Sequence, residues 1–137
     1  MSKIHFEIVT PEEVAYQDKI DALTVDTQDG EITILPNHMP LVSVLRPGEM
    51  RIKKGSEEIF MAVSGGFVEV QPKSKVIIIA DAAERAEHID ELKAEEARKR
   101  AQDILARKAT AEEIADAQAA LAHALAQLKV ARKRKRG

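Results

Sequence analysis

Hydrophobic and polar residues alternate in short runs through the first 80 residues of the chain. Ile4, Phe6 and Ile8 alternate with polar neighbours, and Val68 and Val70 share one face of a later run. A period of two places successive side chains on opposite faces of a strand. Roughly eight such runs, separated by Gly- and Pro-containing turns, are typical of an antiparallel β-sandwich or barrel. The pattern therefore predicts an all-β N-terminal domain, which we take to be a sandwich.

The alternation changes phase once. Ile20 is followed by Leu23 and Val25, so the apolar positions on either side of residue 21 do not share one register. An extra residue in one strand, a β-bulge, produces such a slip. We therefore expect a bulge within a strand that contains Ile20 and Val25.

After Ala82 the pattern becomes helical. Gly and Pro are absent until the terminal Gly137, alanine dominates, and apolar residues recur every three to four positions, as in an amphipathic helix. Thr110 and Glu113 have the T-x-x-E spacing of a capping box, which predicts the start of a second helix. The two apolar stripes consist of Ile89, Leu92, Ala97, Ala101, Ile104 and Leu105, and of Ile114, Ala117, Leu121, Leu125 and Leu128.

The link between the two predicted helices is short, so they are expected to fold back as an antiparallel hairpin. The predicted domains are therefore a β-sandwich, residues 1–85, and a helical hairpin, residues 86–137. All four aromatic residues lie in the sandwich, at Phe6, Tyr16, Phe60 and Phe67. Because two alanine-rich helices bury little apolar surface, the hairpin alone is expected to be marginally stable. We therefore predict a movable hairpin.

Charge is distributed unevenly between the two domains. Residues 1–85 contain nine basic and fourteen acidic residues, whereas residues 86–137 contain twelve basic and nine acidic residues. The C-terminal tail is strongly basic, and Arg98, Lys99 and Arg100 form a second basic group. An acidic partner is expected for these residues. The basic residues of the tail are Lys129, Arg132, Lys133, Arg134, Lys135 and Arg136.

The loop that follows the strand containing Ile34 has an unusual composition. Asn37, His38 and Met39 lie between Pro36 and Pro40, so the loop is stiffened at both ends. A rigid loop that exposes apolar groups is often a binding site. Alternatively, Met39 and Leu41 pack under the sheet and His38 is an ordinary polar loop residue.

Several classes of function are disfavoured by composition. The chain contains no cysteine, and its four histidines lie at scattered positions without metal-ligand spacing. No apolar run reaches the length of a membrane span, and no signal-peptide pattern is present, so membrane insertion is not expected. Gly65-Gly66 lacks the lysine of a phosphate-binding loop and is interpreted as a turn. We therefore predict that the protein is not itself an enzyme and requires no cofactor.

Two alternative functions are a nucleic-acid-binding β-domain with a basic tail and a coiled-coil adaptor. Stacking on aromatic residues is common in proteins that bind single strands, but the sandwich is acidic and its aromatic residues are dispersed. Nucleic acid is therefore not an expected partner. A coiled-coil adaptor would keep its hairpin closed in every assembly.

The chain resembles the epsilon subunits of rotary F-type ATP synthases over essentially its whole length. The resemblance lies in GEITILPNHMPL (residues 30–41), RPGEMRI (46–52) and SGGFVEV (64–70), followed by a helical hairpin that ends in KVARKRKR. This implies a non-catalytic rotor subunit of the central stalk, whose sandwich binds the gamma subunit. In the family, the loop matching Asn37, His38, Met39 and Pro40 faces the membrane ring.

The resemblance also implies how the hairpin acts. In the family it either folds against the sandwich or extends along gamma into the alpha/beta catalytic head, where it inhibits ATP hydrolysis. An acidic loop of the head would then bind the basic tail and Arg98, Lys99 and Arg100. The implied location is the cytoplasmic face of a bacterial cell membrane, as a peripheral part of the complex.

Some bacterial relatives bind ATP on the folded hairpin through an Ile/Leu-Asp-x-x-Arg-Ala motif. The matching segment here is Ile89-Asp90-Glu91-Leu92-Lys93-Ala94, in which lysine replaces the arginine and so loses its bidentate geometry. Glu84 and Arg100 also match positions used in those relatives. Because Asp116 would oppose a triphosphate, only weak binding of ATP with Mg²⁺ is expected. Alternatively, Asp90 caps a helix and Lys93 pairs with Glu96.

Overall fold

The computed structural model describes residues 3–136, and the side chains of residues 3–133. Ten β-strands are followed by a single 3₁₀ turn, Ala86–His88, and two α-helices. The strands are β1 (Ile4–Val9), β2 (Val14–Ile20), β3 (Ala22–Thr27), β4 (Gly30–Ile34), β5 (Leu41–Leu45), β6 (Gly48–Lys54), β7 (Glu57–Val63), β8 (Gly66–Gln71), β9 (Lys75–Ala80) and β10 (Ala83–Arg85). The helices are α1 (Glu91–Ala106) and α2 (Ala111–Arg136). The predicted fold class, a β-sandwich followed by a helical hairpin, is confirmed.

The strands are joined in the order β10-β7-β6-β3-β5-β8-β9-β1-β2, with β4 paired to β3. All pairs are antiparallel except β1 and β9, which run parallel. The alternating pattern had predicted about eight strands, and the two strands that it missed, β2 and β10, are the edges of this order. Edge strands have one neighbour and bury less of their surface, so their apolar alternation is weak.

The phase slip near Ile20 is a corner between two strands, so the predicted bulge at this position is wrong. Strand β2 ends at Ile20 and β3 begins at Ala22, and a register shift occurs instead at Ile8/Val9 of β1. Asp21 holds the corner: its backbone N–H donates to the Lys53 carbonyl at 2.8 Å, and its carboxylate accepts from the Gly55 N–H at 2.6 Å. The ion pair with Lys3 and the hydrogen bond from the Gly55 N–H lower the pKa of Asp21.

The main hydrophobic core is built entirely from sandwich residues between Ile4 and Ala80. Val68 and Val70 are buried in it, whereas Phe67 lies on the opposite face of β8. This confirms the predicted alternation. No described residue of the hairpin belongs to this core. A second and much smaller cluster joins the hairpin to the sandwich.

Both helices begin where side chains satisfy free backbone N–H groups. Asp90 precedes α1 and accepts from the Lys93 N–H at 3.2 Å, so the capping interpretation of Asp90 is confirmed. Before α2, the Thr110 Oγ1 accepts from the Glu113 N–H at 3.1 Å, and the Glu113 carboxylate accepts from the Thr110 N–H at 3.0 Å. These two bonds form the predicted capping box. Hydrogen bonds to the Glu113 carboxylate from the backbone N–H and then the side chain of Thr110 lower the pKa of Glu113.

The helices pack antiparallel, since Glu95 near the start of α1 contacts Arg132 near the end of α2, at 3.6 Å. Alanines make most of the buried seam, and Leu128 is the one large aliphatic residue of the two predicted stripes that is buried. The expected burial of two stripe residues is wrong: Leu92 is 71% exposed and Leu125 is half-exposed. Small side chains let the helix backbones approach closely, which turns the longer side chains toward solvent. The buried alanines include Ala94, Ala101, Ala117 and Ala124.

We predict that deleting residues 87–137 leaves a folded sandwich, because none of the hairpin residues whose side chains are described belongs to the main core. Thermal unfolding followed by near-UV circular dichroism should remain a single cooperative transition. The full chain is the control. A truncated chain that melts without cooperativity would show that the sandwich depends on the hairpin.

Candidate functional site

The loop between β4 and β5 is a fixed turn. The His38 N–H donates to the Leu35 carbonyl at 3.2 Å, and Asn37 between them has φ +65°. A type II turn needs a positive φ at its third residue and favours Pro at its second, and Pro36-Asn37 supply both features. His38 Nδ1 lies 2.8 Å from the Met39 carbonyl oxygen. The sequence Leu35–Met39 therefore dictates the shape of the loop.

Ser74 in the neighbouring β8–β9 turn holds this loop in place by hydrogen bonds. Its hydroxyl accepts from the Asn37 N–H at 2.7 Å and donates to the Asn37 Oδ1 at 3.1 Å. Ser74 is buried, and both Lys73 and Ser74 have positive φ. The two turns thus form one rigid end of the sandwich.

The predicted partner-binding residues Asn37, His38, Met39 and Pro40 lie together at this end. Met39 is 79% exposed, so the alternative in which it packs under the sheet is wrong. Leu41, by contrast, packs against the main core. The loop therefore presents one flexible apolar side chain on a rigid support, an arrangement typical of a contact site. No partner is present to test these four residues, so their role stays a prediction.

A row of five apolar side chains, four exposed and one half-buried, crosses the outer face of the sandwich, and the sequence patterns did not predict it. The pairing register places Val44 beside Phe67, Phe67 beside Ile79, Ile79 beside Val9, and Val9 beside Val14. Phe67, Ile79 and Val14 are each 50% exposed. We call these five residues the apolar row. Its clearest signal was the continuous apolar run at residues 76–79, which indicates a strand that is apolar on both faces.

Helix α2 docks across β10, β7 and β6 on the other side of the sandwich. In register across these strands lie Glu84, Ala62 and Glu49, which we call the docking row. Val130 of α2 is completely buried against Ala62 and Ala86, and Phe60 and Ile89 flank this cluster. The hairpin therefore lies folded against the sandwich in this structure.

Polar contacts flank Val130 on both sides. Gln127 Nε2 donates to the Glu84 carboxylate at 2.5 Å, and His123 Nε2 lies 4.0 Å from the same oxygen. At the other end, Lys133 Nζ donates to the Glu49 carboxylate at 2.8 Å and lies 5.8 Å from the centre of the Phe60 ring. Docking therefore combines one buried apolar residue with two hydrogen-bonded carboxylates.

The residues predicted to bind an acidic partner do not form a single patch. Arg98 donates to Gln102 at 2.9 Å and pairs with Glu95, which also contacts Arg132. Lys133 is held by Glu49. The remaining described members are exposed, and these are Lys99, Arg100 and Lys129. The side chains of Arg134, Lys135 and Arg136 lie outside the described residues, so the prediction for them is not examined by the structure.

The residues predicted to bind nucleotide are divided between two regions. Glu84 is occupied by Gln127, Ile89 packs beside the docking cluster, and Ala94 is buried between the helices. Asp90 caps α1, and Lys93 is exposed on the same helix. Within the described residues, no ion pair joins Lys93 to Glu96, so that alternative is wrong.

Arg100 lies further along the hairpin. It lines a groove of about 350 Å³ between the helices, together with Glu113 and Asp116. Two carboxylates beside one guanidinium leave little positive charge for a triphosphate. ATP binding therefore stays a prediction, and the arrangement of charge favours only weak binding.

Two family models match the chain. The β-sandwich domain of the ATP synthase delta/epsilon chain matches residues 3–86, and the long α-helix domain of the same chain matches residues 87–132. The chain therefore belongs to the ATP synthase delta/epsilon chain family. Similar curated relatives are named ATP synthase epsilon chain, which confirms the resemblance drawn from the sequence motifs.

The relative from Dehalococcoides mccartyi is 42% identical over 137 residues, covering 99% of this chain and 97% of its own length. The relative from Chloroflexus aggregans is 45% identical and covers 93% of this chain and 91% of its own length. A chain in the Euglena gracilis mitochondrial ATP synthase OSCP/F1/c-ring structure is similar, with a TM-score of 0.82, 25% identity and coverages of 96% and 82%. A chain in the Tetrahymena thermophila central stalk/c-ring structure shares the fold, with a TM-score of 0.68 and 16% identity.

Within residues 3–136, neither helix has the length and apolar character needed to cross a membrane. The same residues contain no group of three or more His, Asp or Glu side chains placed to hold a metal ion.

We predict that Mg-ATP binds the isolated chain weakly, with a dissociation constant on the order of 1 mM, since Arg100 is opposed by two carboxylates. A titration with Mg-ATP, followed by the amide chemical shifts of residues 89–100, measures this dissociation constant. Replacing Asp116→Arg should tighten binding, whereas Asp103→Arg on the exposed side of α1 serves as the control. Saturation of the unmodified chain at micromolar ATP would contradict the electrostatic argument.

Proposed function

We propose that the chain is a non-catalytic rotor subunit in the central stalk of a bacterial F-type ATP synthase. Its sandwich joins the gamma subunit to the membrane ring, and its hairpin regulates ATP hydrolysis. The observation that carries this proposal is the division of apolar burial: the sandwich has a complete core, and the hairpin is attached through a separate small cluster. Such a chain can release its hairpin while the sandwich remains folded.

Two surfaces of the sandwich suit the transmission of torque. The apolar row offers a stalk partner a contiguous hydrophobic strip on a rigid sheet, and exposed strips of this kind are typical of protein interfaces. The loop of residues 37–40 is fixed to the β8–β9 turn by two hydrogen bonds between Ser74 and Asn37. We assign the apolar row to gamma and the loop to the membrane ring.

The hairpin suits regulation because its attachment is limited. Val130 is the one α2 residue in the described part of the buried docking cluster, and its burial contributes roughly 1.5–3 kcal/mol. Exposed bases on both helices remain available to an acidic surface of the alpha/beta head. In the extended state these bases would hold the hairpin against rotation. The complex would place the subunit at the cytoplasmic face of the membrane without insertion.

We expect Phe67→Gln to weaken binding to gamma at least several-fold, because it places a polar group at the centre of the apolar row. Binding is measured by titrating purified gamma with the variant chain. Leu92→Gln is the matched control, since Leu92 is a large exposed aliphatic residue on the hairpin. Equal affinities for Phe67→Gln and the unmodified chain would remove the assignment of this face.

Replacing Lys99 and Arg100 with alanine should raise ATP hydrolysis by the assembled complex several-fold, because these exposed bases stabilise the extended hairpin. ATP synthesis should be little affected. Replacing Lys19 and Lys53, two exposed lysines of the sandwich, controls for loss of charge. Hydrolysis that does not respond to the Lys99/Arg100 change would count against charge-based regulation by the hairpin.

A further inference from the structure

Glu49 is a buried carboxylate whose main partner belongs to the movable hairpin. Its side chain is 8% exposed, and one oxygen accepts from Lys133 Nζ at 2.8 Å. Arg51 of the same strand approaches that oxygen at 3.4 Å. The second oxygen, Oε2, is buried and has no hydrogen-bond partner among the described residues. Glu49 is therefore held by one cation from the hairpin and one from the sandwich.

Lys133 in turn contacts the sandwich at two points, while its side chain is 40% exposed. Its ammonium group contacts the Glu49 carboxylate on one side and lies over the Phe60 ring on the other. A partly buried ion pair is stronger than an exposed one because solvent screens it less. Lys133 thus contributes more to docking than the exposed bases near it, such as Lys129.

The geometry of the docking row explains why the contact falls on Lys133. Three residues of helix rise about 4.5 Å, and neighbouring strands lie about 4.8 Å apart. Gln127, Val130 and Lys133 are spaced by three, and they meet Glu84, Ala62 and Glu49 on three successive strands. Lys133, the one position in this series that carries a full positive charge, faces the more buried of the two carboxylates in the docking row.

The free energy lost at Glu49 when α2 leaves the sandwich is smaller than the burial of its carboxylate suggests. When α2 leaves, Arg51 remains beside the carboxylate, and the unpartnered Oε2 becomes accessible to water. The free energy gained when water hydrates Oε2 offsets part of the free energy lost with the hydrogen bond to Lys133. The contact is therefore suited to reversible exchange rather than to permanent attachment.

We infer that Glu49 is an internal competitor for the basic tail: it holds Lys133 in the docked state and releases it to the carboxylates of a partner in the extended state. This inference rests on the proposed regulatory function. Glu49 then sets the fraction of chains with a free hairpin. Removing its charge frees the hairpin and strengthens inhibition, whereas removing the charge of Lys133 frees the hairpin and also removes a partner contact.

The chain contains no cysteine, so Val130→Cys introduces a single thiol that docking buries. The rate at which a neutral maleimide labels this thiol reports the undocked fraction. In the isolated chain we expect Glu49→Gln to speed labelling about three- to tenfold. Glu58→Gln, an exposed position on β7, is the matched control and should leave the rate unchanged.

Lys133→Met removes the same contact from the helix side and cannot unfold the sandwich core. It should speed labelling to a similar degree, and combining it with Glu49→Gln should produce little further increase. A Glu49→Gln rate within twofold of the parent, or full additivity of the two changes, would overturn the inference.

In the assembled complex, Glu49→Gln should slow ATP hydrolysis and Lys133→Met should not. The inference is supported if both variants label faster and hydrolysis is slowed by Glu49→Gln but not by Lys133→Met, because Glu49 and the partner then compete for Lys133. Faster labelling with unchanged hydrolysis would keep Glu49 as a docking contact but would overturn its role as a competitor and count against the proposed regulatory function. Unchanged labelling would overturn the inference alone and leave the proposed function to its own tests.

Discussion

The packing of Val130 against Ala62 and Ala86 joins two parts of the molecule that otherwise have separate interiors. Every residue of the main core comes from the sandwich, whereas the hairpin is closed mainly by alanines between its own helices. Because the connecting cluster is small, its loss would leave both parts with their internal contacts. A hairpin attached in this way would be displaced by a modest binding free energy from a neighbour, as the proposed regulation requires.

The docking row restricts the hairpin to one position on the sandwich. Ala62 is small enough for α2 to lie close to β7, and a carboxylate on each neighbouring strand accepts from a helix residue three positions away from Val130. Sliding α2 along the row would place Val130 against a carboxylate and bury an unpaired charge, which is strongly unfavourable. The same few contacts therefore give the docked state a defined register and a limited stability.

The opposite face of the sandwich is arranged differently. It carries the apolar row, the fixed loop of residues 37–40 lies at one end of the sandwich, and neither surface is covered within the described residues. A rotor subunit must bind its stalk partners firmly and its regulatory element weakly. The separation of these two kinds of surface onto opposite faces is consistent with such a division, because docking of the hairpin leaves the apolar row exposed.

The local patterns in the sequence were sufficient to predict the sandwich, the hairpin and the capping box of α2, since alternation and the Thr110–Glu113 spacing depend on near neighbours. The cap at Asp90 was one of two interpretations that the sequence left open. They did not predict the edge strands β2 and β10 or the parallel pairing of β1 with β9, which depend on contacts distant in sequence. Burial of Leu92 was wrongly expected because periodicity identifies an apolar stripe but not the size of the residues that fill its seam. The docked position depends on the pairing register of Glu84, Ala62 and Glu49, which no local pattern contains.

The central claim is that the hairpin regulates hydrolysis by leaving the sandwich. It is tested most directly by replacing Ala62 and Val130 with cysteine and measuring ATP hydrolysis by the assembled complex before and after oxidation, with each single replacement as a control. A disulfide between these positions would hold α2 in its docked position. We predict that oxidation abolishes inhibition and that reduction restores it. Inhibition that persists fully in the disulfide-linked complex would contradict the account.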